Sequence, residues 1–559
     1  MKFLLAALAV LLFLIIQSII EAKRREKQLE NRLLANWGEV PDEGYNDVKW
    51  EALKQFWLSK KASSAFIDDI TWNDLELKEL YMRMNATGCA MGEEYLYAML
   101  RSPETDEDVL LEKDRLIEYF GEREDERLFL QKNFHQMGKL SKYSIYQYMN
   151  SELVEKDRTW FHWLCLFGLP ASLFFCFVNA AVGIPLTAFF LFNNVFSYYK
   201  RKSVIEPYFQ IFSYIIRMLN SLEKIDKKNI PILAGYQDSM RRCQRAFSSY
   251  KRGSFLVLSG GSMAGSIEDI LMDYLRILFH IDLIKFNSML KQLMAHRDEV
   301  NEMYRIIGLL DSSIAVASFR RQVDSFCKPV FAKDKGAYLN AVRIYHPYLD
   351  EPVANSICAD KGVLVTGSNA SGKSTFLKTI AINAVLAQTC YMVLADSYEA
   401  SMFRIYSSMA LRDDLLGGES YYMKEIRSLK RILDEAGQDG PPLLCFVDEV
   451  LRGTNTLERI AASSEIMKSL SRPDVLCFGA THDTELTQIL SAYYDNYHFE
   501  EQVSDNDILF DYILHPGNSN EKNAILLLGI MGYDPKIIEH ARENANYFLK
   551  EGSWRILQK

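Results

Sequence analysis

The sequence predicts a C-terminal α/β domain built around a phosphate-binding loop, preceded by an all-α region that carries membrane-spanning helices. Three observations lead there. Residues 367–374 read GSNASGKS, after an apolar run and ahead of a helical pattern. Beyond about Tyr338, short β-rich runs alternate with helical patterns. Before it the texture is helical and charged, and two uncharged apolar runs interrupt it.

Taken in order, the first element is residues 3–20, 18 residues without a charge, followed by Lys23, Arg24, Arg25 and Lys27. The run is long enough to cross a hydrocarbon core of about 30 Å. A cleaved leader usually has its basic residues first and a small-x-small site after the apolar core. Here only Lys2 precedes the run, and Ile20-Glu21-Ala22 is a poor cleavage site. Residues 1–28 therefore read as an uncleaved anchor, with the basic cluster holding the rest of the chain in the cytoplasm; a cleaved leader is the alternative.

Residues 40–158 read as the first part of a helical core, rich in charge and poor in glycine. Residues 159–199 are 41 residues without Asp, Glu, Lys or Arg. That is too long for one untilted span, and Asn179, Gly183 and Pro185 near the middle can turn the chain. Basic residues flank the run, Arg158 before it and Lys200-Arg201-Lys202 after it. The pattern fits a transmembrane hairpin with both ends in the cytoplasm; a buried helical pair in a soluble core is the alternative. Residues 203–335 read as a second helical part, core and lever. In it Phe286, Met289, Leu290, Leu293, Met294, Val300, Met303, Tyr304, Ile307 and Leu310 recur at helical spacing, which marks core.

Residues 338–559 form the α/β domain. The runs 363–365, 443–447 and 475–478 are apolar throughout, as strands buried on both faces are. The first leads into the G-x-x-x-x-G-K-[ST] pattern of Gly367, Ser368, Asn369, Ala370, Ser371, Gly372, Lys373 and Ser374, with Thr375 next. Glycines let backbone N–H groups face phosphates, and the helix N-terminus adds a favourable dipole. Lys373 supplies a point charge, and the Ser374 hydroxyl can ligate Mg²⁺. The second run ends in Asp448-Glu449, 75 residues past Lys373. Asp448 can hold the metal shell and Glu449 can polarise an attacking water. The third ends in Thr481-His482-Asp483, where His482 can contact the γ-phosphate or the water.

The rest of the composition bounds the class. With 559 residues, 49% of them hydrophobic, the chain is neither a disordered tail nor a disulfide-stapled miniprotein. Its 64 basic against 73 acidic residues leave a formal charge of −9, which excludes a strongly basic nucleic-acid coat. The nine cysteines are scattered with no CxxC pair, so neither a zinc site nor a disulfide ladder is indicated, and the soluble part reads as that of a reducing compartment.

A series of motifs in order resembles the MutS family, the mismatch-repair ATPases of the wider ATP-binding-cassette group: GSNASGKST, RDDLLGGESYYMKE, FVDEVLRGTNT, ATHDTEL and LLLGIMGYDPKIIEHARE. His346-Pro347 resembles the opening of the family's ATPase domain. Upstream, ATGCAMGEEYLYAMLRSPETDEDVLLEKDRLIEYF resembles the start of its helical core, and LLDSSIAVASF the end. The similarity spans residues 87–543 and is strongest in the last 210 or so. It implies an α/β P-loop ATPase domain of ATP-binding-cassette type, ATP with Mg²⁺, and a homodimer with composite sites. In such a site Lys373, Ser374, Asp448, Glu449 and His482 act in cis, and Ser420 of GGES reaches the partner's γ-phosphate. Double-stranded DNA is the ligand the family implies. Three features depart from the family. Ser368, Ala370 and Ser371 replace the commonest loop residues, Leu451 stands where Gly is usual, and no Phe-x-Glu wedge precedes Thr87. The sequence thus points to a multi-pass protein of the inner or cytoplasmic membrane, a MutS-like ATPase coupled to DNA. A mechanical ATPase acting on a membrane or protein partner without DNA is the rival reading.

Overall fold

The computed structural model describes residues 2–60, 66–140, 144–150, 159–248, 250, 274–368, 371–409, 421–452, 454–504, 507–518, 525, 528–529 and 531–556. They divide into two compact units.

The first unit comprises Met1–Ser64, Tyr81–Met99 and Glu112–Gln322, and its described residues are helical. Its centre is the helix Arg297–Gln322, buried continuously from Ile306 to Phe319. Asp311 on this helix accepts from the backbone N–H groups of Gly88 (3.0 Å) and Cys89 (2.9 Å). It thereby satisfies two orphan donors at the start of the helix Ala90–Arg101. Gly92 makes this approach possible, because a Cβ there would lie 2.1 Å from Asp311 Oδ2. One turn further, the buried Glu94 accepts from Tyr304 Oη (2.8 Å) and Ser144 Oγ (2.9 Å). The two upstream segments singled out in the sequence are thus joined to each other through their polar residues.

The apolar stripe of residues 286–310 falls on two helices, Ile281–Ala295 and Arg297–Gln322, which part at His296. Phe286, Met289, Leu293, Val300, Met303, Tyr304, Ile307 and Leu310 are buried, whereas Met294 is exposed beside the break.

The uncharged stretch folds as two helices, Thr159–Val178 and Ala180–Lys228, turning at Asn179, whose side chain accepts from Ala181 N. Gly183 and Pro185 lie inside the second helix, and only Asn179 makes the turn. Close approach of the arms depends on small residues: a Cβ on Gly183 would sit 2.4 Å from Cys176 N, and one on Gly168 2.3 Å from Phe190. Thr187 and Ser172 hydrogen-bond across the arms. Both helices are long and apolar enough to cross a membrane. Their outer faces expose Phe167, Phe174, Phe177, Phe189 and Phe192. The second helix does not stop after residue 199, but continues through Lys200-Arg201-Lys202 to Lys228. The first apolar run lies within one helix, Lys2–Ala35.

The second unit comprises Ala65–Leu80, Leu100–Leu111 and Val323–Lys559. It therefore starts earlier than residue 338 and takes in two segments that the sequence grouped with the helical core. The cause is visible in the bonding. Strand β1 (Val330–Phe331) pairs with β5 (Ser397–Ala400) beside β2 (Leu339–Ile344) and β3 (Asn355–Ala359) in a four-stranded sheet. Asp74 accepts from Ser407 Oγ and Met409 N, and Gln388 exchanges hydrogen bonds with the Glu104 backbone. A two-residue strand and isolated polar contacts leave no periodicity for a sequence to display.

The main sheet has six strands in the order β10-β9-β4-β8-β7-β6. They are β4 (Gly362–Thr366), β6 (Arg404–Ser408), β7 (Leu443–Asp448), β8 (Val475–Thr481), β9 (Tyr494–Ser504) and β10 (Asp507–Pro516). All pair in parallel except β9 with β10. Residues of β4 and β8 are buried throughout, as the apolar runs require. Register sets the function: Thr366 pairs with Thr481 and Asp448 with Ala480. The C-terminal ends of three adjacent strands therefore meet at one edge of the sheet.

Candidate functional site

That edge carries the predicted residues. After β4 the chain passes Gly367 and Ser368, and the helix Lys373–Cys390 opens from Gly372 and Lys373. Gly367 has φ +145 and Gly372 φ +103, both where a side chain is strained. A Cβ on Gly367 would lie 2.8 Å from Ser371 Oγ. Asn369, Ala370 and Ser420 lie outside the described residues.

Lys373 is buried, and its Nζ donates to the carbonyls of Gly367 (2.9 Å) and Ser368 (2.6 Å). Burial pulls the ammonium below its ordinary pKa, and Asp448, Glu449 and Glu501 oppose that. Ser374 and Thr375 are exposed at the helix start. Ser374 Oγ donates to Asp448 Oδ2 at 2.5 Å. Burial pushes the Asp448 carboxyl up, and Glu449 adds to it, while Ser374, Lys373 and His482 hold it down.

Glu449 follows β7, and its N–H donates to Ala480 O (2.9 Å), which locks the residue to the neighbouring strand. Glu449 Oε1 lies 2.8 Å from His482 Nε2, and Oε2 lies 3.0 Å from Arg452 Nη1. His482 Nε2 is also 3.4 Å from Lys373 Nζ. One nitrogen cannot both donate to the carboxylate and accept from the ammonium; the shorter distance assigns the proton to Nε2, facing Glu449. Among the described residues Lys373, Ser374, Asp448, Glu449 and His482 thus form one constellation. The donors suit a hard divalent cation: Ser374 and Asp448 offer a hydroxyl and a carboxylate oxygen, leaving other positions to water and phosphate, as Mg²⁺ prefers.

Beside the loop lies a cavity of about 500 Å³, lined among others by Leu349, Val353, Asn355, Phe499 and Tyr512. Its apolar and aromatic wall next to a phosphate loop suits a planar base. Tyr512 sits at a bulge in β10, between Phe510 and Leu514, with φ +54. Asn355 holds the bulge, donating to Tyr512 O (3.0 Å) and accepting from Leu514 N (2.8 Å). The ring consequently packs on Gly372, at 3.2 Å from where a Cβ would be. Sequence reasoning missed Asn355, Phe499 and Tyr512, because only tertiary pairing brings them to the loop. His346 did stand out in the sequence. It lines the same cavity, is buried, and accepts from Tyr348 N at Nδ1 (3.2 Å), a structural role.

Fold and site define a P-loop nucleotide-binding domain. Residues 363–549 match the family model MutS domain V. This domain carries the similarity of the chain to the MutS family. It is 28% identical over 270 residues to a DNA mismatch repair protein MutS of Natronomonas pharaonis, covering 46% of this chain and 31% of the relative. It is 30% identical over 260 residues to that of Pseudothermotoga lettingae, covering 42% and 31%. With that of Thermus thermophilus it shares 30% over 250 residues, covering 44% and 30%. The chain thus spans about three tenths of the length of these curated relatives.

Proposed function

We propose that the chain is a membrane-anchored ATPase that binds ATP with Mg²⁺ at composite sites of a homodimer and couples hydrolysis to double-stranded DNA. One observation carries the ATPase reading: the meeting of Lys373, Ser374, Asp448, Glu449 and His482 at the ends of β4, β7 and β8. Lys373 exchanges its loop carbonyls for the β- and γ-phosphates. Glu449, oriented by His482, takes the proton of the water that attacks the γ-phosphorus. Mg²⁺, when bound, neutralises developing phosphate charge. Lys373→Ala should weaken nucleotide binding at least about tenfold, since charge-assisted bonds are lost. Glu449→Gln should keep binding and slow turnover about a hundredfold or more. An unchanged rate in Glu449→Gln, measured with the detergent-solubilised protein, removes the assignment of the base.

DNA coupling is supported by the family and by the names of the relatives. Salt-dependent binding to duplex DNA tests it. The rival reading, mechanical work on a membrane or protein partner, is favoured by the exposed aromatic hairpin. The hairpin continues without a break into the helix that ends at Lys228. Absence of DNA binding at every salt concentration would select it. Membrane anchoring is supported by the two apolar helices and their outward-facing aromatics.

A further inference from the structure

The turn after β7 is unusual. Glu449 and Leu451, neither of them glycine, both adopt the left-handed conformation, at φ +52 and +57. Such residues persist only where their surroundings over-determine them. Three contacts do so here. Glu449 N–H donates to Ala480 O, and Ser463 Oγ donates to Val450 O (3.2 Å). The third comes from the helix Tyr421–Ala436: Arg452 N–H donates to Glu425 Oε1 at 3.3 Å.

Glu425 is a costly way to hold a turn. The residue is 4% exposed, and its second oxygen is buried without a hydrogen-bond partner among the described residues. Burial pushes its carboxyl up, and the N–H groups of Arg452 and Leu451 hold it down. An apolar residue would fill the same space at lower cost. The carboxylate is therefore unexplained by packing, and its bonds go to the backbone beside the catalytic carboxylate. Arg452, whose N–H it receives, also reaches Glu449 Oε2 with its guanidinium.

We propose that Glu425 is a positioning residue for hydrolysis: it fixes the backbone of Leu451 and Arg452, and through them the direction in which Glu449 presents its carboxylate. The inference rests on the reading of Glu449 as the group that polarises water.

The test uses the full-length solubilised protein and reads kcat, KM and affinity for a fluorescent ATP analogue. Glu425→Ala should lower kcat about a hundredfold, the scale of an ångström-level misplacement, with analogue affinity within about twofold of wild type. Glu425→Gln keeps one acceptor oxygen and should lose less. Adding Glu425→Ala to Glu449→Gln should cost nothing further, because the group it positions is gone. A fully additive loss in the double variant overturns the proposal. So does a lower melting temperature with unchanged kcat per folded molecule. If the alanine variant does not fold, Glu425→Gln decides, and wild-type kcat there is the overturning result. Wild-type hydrolysis in Glu449→Gln alone is a different failure: it removes the reading of the base, and this proposal falls with it.

Discussion

Leu451 occupies a backbone conformation that suits glycine, and glycine is what the MutS family usually has there. At φ +57 its Cβ costs roughly 1–2 kcal/mol. Its side chain offsets this, since it is 4% exposed and packs in the apolar cluster with Val447, Val450 and Leu486. Burying a leucine is worth about 1.5–3 kcal/mol. Together these energies predict a reversal of the usual order. Leu451→Ala loses the burial and keeps the backbone cost, whereas Leu451→Gly loses the burial and recovers the cost. Glycine should therefore destabilise less than alanine, by about 1 kcal/mol, in paired thermal unfolding curves. The ordinary order, alanine above glycine, would mean that the turn relaxes out of the left-handed region. At this scale much of the site was legible. Asp448, Glu449 and His482 stand at or just beyond the end of an apolar run, and Lys373 and Ser374 close the G-x-x-x-x-G-K-[ST] pattern, so the sequence marks all five. Tyr512, Asn355 and Glu425 carry no such mark, because what defines them is a bulge, a strand pairing and a turn built far away in the chain.

Among the elements, the helix Arg297–Gln322 has a titration built into its packing. Burial pushes the Glu94 carboxyl to about 8, against the bonds from Tyr304, Ser144 and Ile145 that hold it down. Burial also raises Asp311 to about 6. Both lie above their unfolded values of about 4. Between the unfolded and folded values the native state holds a proton that the unfolded chain has released. The stability these two groups contribute is therefore greatest below about pH 4, and falls as pH rises to about 6 for Asp311 and about 8 for Glu94. Glu94→Gln removes the more strongly raised carboxyl and keeps an acceptor for Tyr304. Its melting temperature relative to wild type should be near equal at about pH 4 and rise steadily towards pH 8. A difference that stays flat over that range would show that Glu94 ionises normally in the folded protein. The strands β4, β7 and β8 and the central helices were legible because burial on both faces, or on one helical stripe, shows in composition. The start of the second unit was not, since β1 has two residues and its ties are single hydrogen bonds.

For the whole molecule, two expectations concern sides and copies. On the proposed anchoring, cysteines introduced near Glu30 and Ser203 should both resist an impermeant reagent in intact cells, because the basic clusters beside them favour the cytoplasm; labelling of either removes the assignment of both sites to that side. The second expectation concerns the composite site. Lys373, Ser374, Asp448, Glu449 and His482 come together within one chain. Ser420 is the member that the family resemblance assigns to the partner's γ-phosphate, which would make hydrolysis a property of the dimer. A Ser420→Arg chain keeps a sound phosphate loop, and a Lys373→Ala chain keeps a sound serine. Each homodimer should then be nearly inactive. A mixture forms heterodimers with one intact site, at most half of the chains at equal amounts if pairing is random, so activity should recover to about a quarter of wild type. If Ser420 instead only caps the helix Tyr421–Ala436, as serine commonly does at a helix start, Ser420→Arg lowers stability but leaves the turnover of folded molecules largely intact. Mixing then restores nothing. Steady-state ATPase rates of the two variants, alone and titrated against each other, separate the two roles, because only a shared site makes the rate peak at an intermediate ratio.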